Sequence, residues 1–269
     1  MRSPILVTGG TGTLGRLVVA RLRDRGRDLR VLSRSTRHLG PGIEVVEGDL
    51  ATGAGVEGAV AGVTTIVHCA GTAKGDDLKA QSLVTAARAA GVGHVVFISV
   101  VGADRVPVLS AVDRAAFGYF ASKRAAERVV EGCGIPSTTL RATQFHELAL
   151  TTLAGMARLP VVPVPGGMRF QPVAAAEVAD RLVDLSLGAP AGLVDDLAGP
   201  QVIAMDDMLR EYLAVTGRRR LLLPIRVPGR AAQAIRDGAN LAPGHADGRQ
   251  TWSDFLVSRA ADPDRRAAA

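Results

Sequence analysis

The chain has 269 residues, 47% apolar but only 3% aromatic, and a formal net charge of +6 from 32 basic and 26 acidic side chains. Such a length can bury one large α/β core with elaborations, the apolar share argues against disorder, and the core must be built from Val, Leu, Ile and Ala. No apolar run approaches the ~20 residues of a membrane span, and two cysteines, Cys69 and Cys133, give no disulfide framework.

Only Lys74, Lys79 and Lys123 among the 32 basic residues are lysines. An arginine surplus of this kind reads as compositional habit, so neither a nucleic acid nor a membrane is expected as a partner. The first strand, residues 4–8 (PILVT), begins almost at once. It leaves no room for a signal peptide, and a cytoplasmic protein is expected.

Leu14, Leu17, Val18 and Leu22 then recur at helical spacing over residues 13–25. Further strands are predicted over 28–34, 43–49, 64–70 and 94–100, with helices over about 52–61 and 76–90. Strands alternating with helices, as near-continuous Val/Ile runs, predict an α/β fold with a doubly wound parallel sheet of Rossmann type. Beyond residue 100 the pattern loosens. A helix is predicted over 119–132, a sixth strand over 137–143 and a helix over 145–158. The four prolines of 159–173 predict a loop with short strands; a helix over 174–188 and a mixture of small elements follow. Residues 1–150 therefore read as a dinucleotide-binding core. Residues 151–269 read as a small C-terminal substrate-binding region packed on the same core, not an independent domain. Residues 218–236 carry six arginines and no acid, which reads as a solvated face or as a surface for an anionic partner.

The loop between the first strand and first helix reads Thr8-Gly9-Gly10-Thr11-Gly12-Thr13-Leu14-Gly15. One glycine allows a sharp turn out of the strand, one lets the backbone approach a pyrophosphate, and one lets the helix sit close to the sheet. Backbone N–H groups and the helix dipole then face the anion. The second strand ends in Val31-Leu32-Ser33-Arg34-Ser35-Thr36-Arg37 with no acid to hold a ribose 2′-hydroxyl. Arg34 stands at the discriminating position with Arg37 nearby, and Ser33 and Ser35 can add hydrogen bonds. The pattern favours NADP (NADPH) over NAD.

TGGTGTLG (8–15), EGDL (47–50), HCAG (68–71), FIS (97–99) and YFASK (119–123) together resemble the short-chain dehydrogenase/reductase superfamily. The stretches KRAAERVVEGCGIPSTTLRATQFHEL (123–148) and FQPVAAAEVAD (170–180) are similar to its atypical, NmrA-like branch. The resemblance implies adenine contacts from Asp49 and Leu50, and Cys69, Ala70 and Gly71 along the cofactor. It also implies an acid/base constellation of Ser99, Tyr119 and Lys123. Tyr and Lys four apart share a helix face. The Lys ammonium should lower the phenol's pKa and grip the nicotinamide ribose, and a Ser at a strand end can hold the substrate oxygen. With two tyrosines and three lysines in 269 residues, a chance Tyr-x-x-x-Lys is roughly a 2% event.

The chain departs from the superfamily pattern. Its single Asn is Asn240, so the usual Asn-Ala-Ala-Gly element is Cys69-Ala70-Gly71 and the Asn that holds a relay water is absent, with Asp76 the nearest polar replacement. Two functions follow from the branch: an NADPH-dependent oxidoreductase acting on a carbonyl or quinone-type small molecule, or an NADP-binding sensor without catalysis. His68 and His94 are expected to be structural. His146 follows the sixth strand, where a substrate role is the alternative to a structural one. Phe117, Phe120, Phe145 and Phe170 are either core or hold a flat aromatic or polyketide-like substrate. No His/Cys/Asp cluster has metal-ligand spacing.

Overall fold

The computed structural model describes residues 3–36, 38–72 and 75–261. In chain order its elements are β1 (Ile5–Thr8), α1 (Thr13–Asp24), β2 (Leu29–Ser33), β3 (Ile43–Glu47), α2 (Val56–Val60), β4 (Thr65–His68), α3 (Asp76–Ala89), β5 (His94–Val100), α4 (Ala111–Glu131), β6 (Ser137–Ala142), α5 (His146–Met156), β7 (Val161–Pro165), β8 (Arg169–Phe170), α6 (Ala175–Leu187), β9 (Gly192–Leu193), β10 (Ile203–Ala204), α7 (Met205–Val215), β11 (Leu221–Ile225), α8 (Arg230–Arg236) and α9 (Trp252–Ala261). Two compact units interleave along the chain. One takes Met1–Ala103, Gly118–Arg141 and Ala175–Asp195, the other Asp104–Phe117, Ala142–Ala174 and Asp196–Ala269.

The first unit is built on a seven-stranded parallel sheet of order β3-β2-β1-β4-β5-β6-β9. Every residue of β1 and β5 is buried, as parallel strands covered on both faces require. Val7 lies in register between Val31 of β2 and Val67 of β4. On one face α1 buries Leu14, Val18 and Leu22, and Arg21 and Arg25 pair with Asp180 and Asp184 of α6. On the other, Val56, Leu83 and Ala126 of α2, α3 and α4 share one apolar cluster with Leu6, Ile66 and Phe97 of the sheet. The chain moves outward from β1 to β2 and β3, then returns to the opposite side for β4. The reversal opens a crevice at the carboxyl ends of β1 and β4, where such folds place ligands.

In the second unit β11 pairs in parallel with β7, and β10 pairs antiparallel with β8. Pro163 and Pro165 fit inside β7 because, among the described residues, that strand pairs with β11 alone. Leu150, Leu153, Val162, Val164, Leu209, Trp252 and Phe255 form this unit's core.

One element departs from the sequence expectation. The helix predicted over 119–132 begins eight residues earlier, at Ala111. The Asp113 N–H donates to Ser110 Oγ (3.0 Å) and the Ser110 N–H donates to Asp113 Oδ2 (3.0 Å), a reciprocal cap that nucleates the helix at this point.

Candidate active site

The glycine loop separates into positions with different reasons to be glycine. Gly9 turns the chain at φ 68°, and a Cβ on it would lie 2.7 Å from the Ala70 nitrogen. A Cβ on Gly15 would lie 2.1 Å from the Gly9 carbonyl oxygen, and one on Gly10 2.7 Å from Val31 Cγ1. Packing against the chain itself accounts for these three. Gly12 is different, because its Cβ would meet only the Gly9 oxygen, at 3.3 Å. Gly12 is the N-cap of α1, which has no side-chain cap and no acidic residue in its first turn. Room, exposed N–H donors and an absence of negative charge fit a pyrophosphate. Thr11 and Thr13 are exposed there, whereas Leu14 is buried in the core.

At the end of β2, Arg34 and Ser35 are exposed, and the Ser35 N–H donates to Ser33 Oγ (3.3 Å). Among the described residues Arg34 has no ion-pair partner; Arg37 lies outside them. Asp49 accepts the Ala51 N–H on Oδ1 at 2.9 Å, and Leu50 is packed into the sheet cluster. Part of the Asp49 carboxylate and the whole Leu50 side chain thus shape their own turn.

A buried row of side chains crosses the first unit just beneath this crevice. Thr8 Oγ1 meets His68 Nδ1 at 2.6 Å, His68 stacks on Phe97 (5.5 Å between centroids), and Lys123 Nζ lies 5.1 Å from the Phe97 centroid. The Lys123 ammonium, 3% exposed, donates to the Ile98 carbonyl (3.3 Å) and pairs with Asp76 Oδ2 (3.2 Å). Asp76 opens α3. It accepts the Thr72 N–H (2.7 Å), gives its own N–H to Ser122 Oγ (3.2 Å) and has Lys79 Nζ 3.8 Å away. Gly71 sits directly above the pair: a Cβ there would be 2.9 Å from Lys123 Nζ and 3.1 Å from Asp76 Oδ2. Two of the chain's three lysines therefore converge on one carboxylate. The sequence motifs mark Lys123 and leave Asp76 as the nearest polar replacement for the missing Asn; they mark neither Lys79 nor Thr72. Lysine's rarity in the chain was the available signal.

Tyr119 and Lys123 are brought together, with Nζ 5.8 Å from the Tyr119 centroid. The expected lowering of the phenol's pKa does not result. Burial raises it, Lys123 pulls it down, Asp76 pushes it up again, and the net direction is upward. Ser99 lies in β5, and its Oγ is buried beside Glu127 with no hydrogen-bond partner among the described residues, Tyr119 included. Glu127 is held by Arg141 through two hydrogen bonds (2.7 and 2.8 Å) and by Arg124 (2.8 Å).

Burial, with help from Lys123 and Lys79, lowers His68 to about 3, so the ring is neutral. Burial pushes the Cys69 thiol up to about 12 against a smaller pull from Lys123, which makes it a poor nucleophile. His94 Nε2 meets Thr138 Oγ1 at 2.9 Å. His146 belongs to the core of the second unit: it stacks on Phe255 (5.0 Å) and Trp252 (6.0 Å), and its Nε2 meets the Gln250 carbonyl at 3.1 Å. Phe120 is buried in the first unit, and Phe170 packs against the core of the second. Phe117 and Phe145 are half-buried.

The profile of a family described as NAD(P)H-binding matches residues 9–185. The (4-alkanoyl-5-oxo-2,5-dihydrofuran-3-yl)methyl phosphate reductase of Streptomyces griseus is 29% identical over 222 residues, 80% of this chain and 74% of that protein. The ceramide reductase of Caulobacter vibrioides is 31% identical over 214 residues, 72% of this chain and 64% of that protein. An NADPH-dependent quinone oxidoreductase from Escherichia coli, solved with NADPH, superposes with a TM-score of 0.78 at 18% identity, covering 94% of this chain and 99% of that one.

Proposed function

The chain belongs to the NAD(P)H-binding family, within the short-chain dehydrogenase/reductase superfamily, and on that footing we propose that this oxidoreductase delivers a hydride from NADPH to a carbonyl or quinone-type small molecule. The observation that carries the reading is the buried Lys123 ammonium, held by Asp76 under Gly71 and adjoining Tyr119. A lysine is retained there in a chain that otherwise uses arginine, and a compact amine can grip a ribose hydroxyl and bias a neighbouring phenol.

NADPH, when bound, supplies the hydride. The loop from Gly9 to Gly15 and the N-terminus of α1 hold the pyrophosphate. Arg34, with Ser33 and Ser35, takes the 2′-phosphate and sets the preference for NADP. Asp49 and Leu50 border the adenine, and Cys69, Ala70 and Gly71 line the path to the nicotinamide. Lys123 would hold the ribose, and Tyr119 is the residue placed to give a proton to the substrate oxygen. The raised Tyr119 pKa keeps the phenol protonated at neutral pH, as a proton donor in the reductive direction must be. Residues 151–269 supply most of the substrate-binding part, and the NmrA-like branch is the proposed affiliation.

Incubation with NADPH and a panel of quinones and ketones, followed by nicotinamide absorbance, tests the reading. Consumption with at least one acceptor is expected. A charge-assisted contact contributes about 1.5–3 kcal/mol, so Arg34→Asp should weaken NADPH binding at least tenfold more than NADH binding. Equal losses for both cofactors would remove Arg34 from the 2′-phosphate site. One observation favours a second reading, an NADP-binding sensor: among the described residues the Tyr119 hydroxyl has no hydrogen-bond partner to relay its proton. NADPH binding without consumption across the panel would select that reading.

A further inference from the structure

The ribbon of β7 and β11 has two unlike faces. Val162 and Val164 point into the core of the second unit, with Leu222 packed against it. Alternation along the strands sends their neighbours the other way. Val161, Leu221, Leu223 and Ile225 are 42%, 66%, 52% and 38% exposed, and Val161 lies opposite Leu221 in the register. A single exposed leucine is ordinary; a row of aliphatic side chains on one face of a sheet marks an interaction surface.

Arginines frame the row. Arg158 precedes β7, Arg218 and Arg219 precede β11, and Arg226 follows it, all exposed. None has an ion-pair partner among the described residues. The sequence carries no acidic residue from 158 to 176 or from 212 to 236. We propose that this face docks on an anionic lipid bilayer, its aliphatic row entering the interface while the arginines meet lipid phosphates. Arginine suits the role, since its stem can lie along apolar surface while its head stays at the polar boundary. No helix among the described residues is long and apolar enough to cross a membrane, so the attachment is peripheral. A second copy of the chain is a poor occupant, because two-fold pairing of this face would set arginine against arginine. A protein partner fits less well too: the outward row lacks the Trp and Tyr anchors that protein interfaces favour, and Leu and Val are under-represented at their hot spots.

Co-sedimentation of the full chain with large unilamellar vesicles tests the proposal, using phosphatidylcholine alone and an equal mixture of phosphatidylcholine and phosphatidylglycerol. Binding is expected to the mixed vesicles only, weakening as salt is raised. Leu221→Ser combined with Leu223→Ser should lower partitioning roughly tenfold or more, and Arg219→Glu or Arg226→Glu roughly fivefold for each unit of charge changed. All four positions are exposed, and unchanged thermal unfolding of the variants checks the fold; the salt series on the unaltered chain stands without them. Equal binding to both vesicle types, no binding to either, or wild-type binding by the leucine variant would overturn the proposal. So would a concentration-dependent dimer that the leucine substitutions dissociate, which would assign the face to a second copy.

Discussion

A lysine as deeply buried as Lys123 needs a counter-charge, and Asp76 supplies it at 3.2 Å. Asp76 also raises the Tyr119 pKa, so one carboxylate acts on both members of the pair. Asp76→Asn should therefore shift the alkaline limb of the kcat profile to lower pH. It should also cut kcat at neutral pH by roughly tenfold to a hundredfold through loss of Lys123 positioning, with a smaller change in cofactor affinity. A pH–rate profile that keeps its shape would mean Asp76 serves folding alone. The Tyr119/Lys123 spacing was legible in the sequence because helix geometry fixes which residues share a face. The Asp76–Lys79 pair, three apart on α3, was legible by the same rule; the approach of Lys123 to Asp76 was not, because it depends on how α4 packs against the start of α3. A strand-end serine such as Ser99 can be read from the chain, but the Glu127–Arg141 pair cannot, because Arg141 comes from another strand.

That pair ties elements together. Arg141 on β6 and Glu127 on α4 form a two-bond ion pair in which both side chains are buried. Burial alone would raise the Glu127 pKa, but the hydrogen bonds from Arg141 and Arg124 bring it below the ordinary value. Breaking a buried pair leaves one charge uncompensated, at a cost of about 3–5 kcal/mol. Arg141→Met should destabilise the protein by that amount in urea unfolding, and adding Glu127→Gln should recover much of the loss. A double variant no more stable than the single one would show that the pair's charges are not what matters. At this scale the sequence was most informative where strands are continuous apolar runs, since parallel strands buried on both faces leave no other pattern. It was least informative at the start of α4. The Ser110–Asp113 cap was present in the letters, but the apolar stretch before Tyr119 concealed it.

Across the whole molecule, the two interleaved units could not be read from periodicity, because α6 covers the first unit's sheet from far down the chain. The buried row under the crevice also sets a response to acid. His68 is held at about 3 against an ordinary 6.5, so the folded state favours the neutral ring. Its contribution is complete above pH 6.5 and is lost as pH falls toward 3, because the unfolded chain binds the proton first. Between pH 7 and 4.5 this amounts to about 3 kcal/mol. Urea unfolding at both pH values should show a smaller acid loss for His68→Gln than for wild type; equal losses would mean that the ring is already charged in the folded protein.

The most direct test of the proton-donor assignment compares wild type with Tyr119→Phe, measuring NADPH affinity by fluorescence titration and the turnover of a quinone or ketone acceptor on the same preparations. The hydroxyl is not needed to hold the dinucleotide, so affinity should be unchanged. A positioned general acid contributes about 10²–10⁴-fold, so turnover should fall at least a hundredfold. A variant that turns over as fast as wild type would contradict the assignment, leaving hydride transfer without a protein acid as the chemistry of this site.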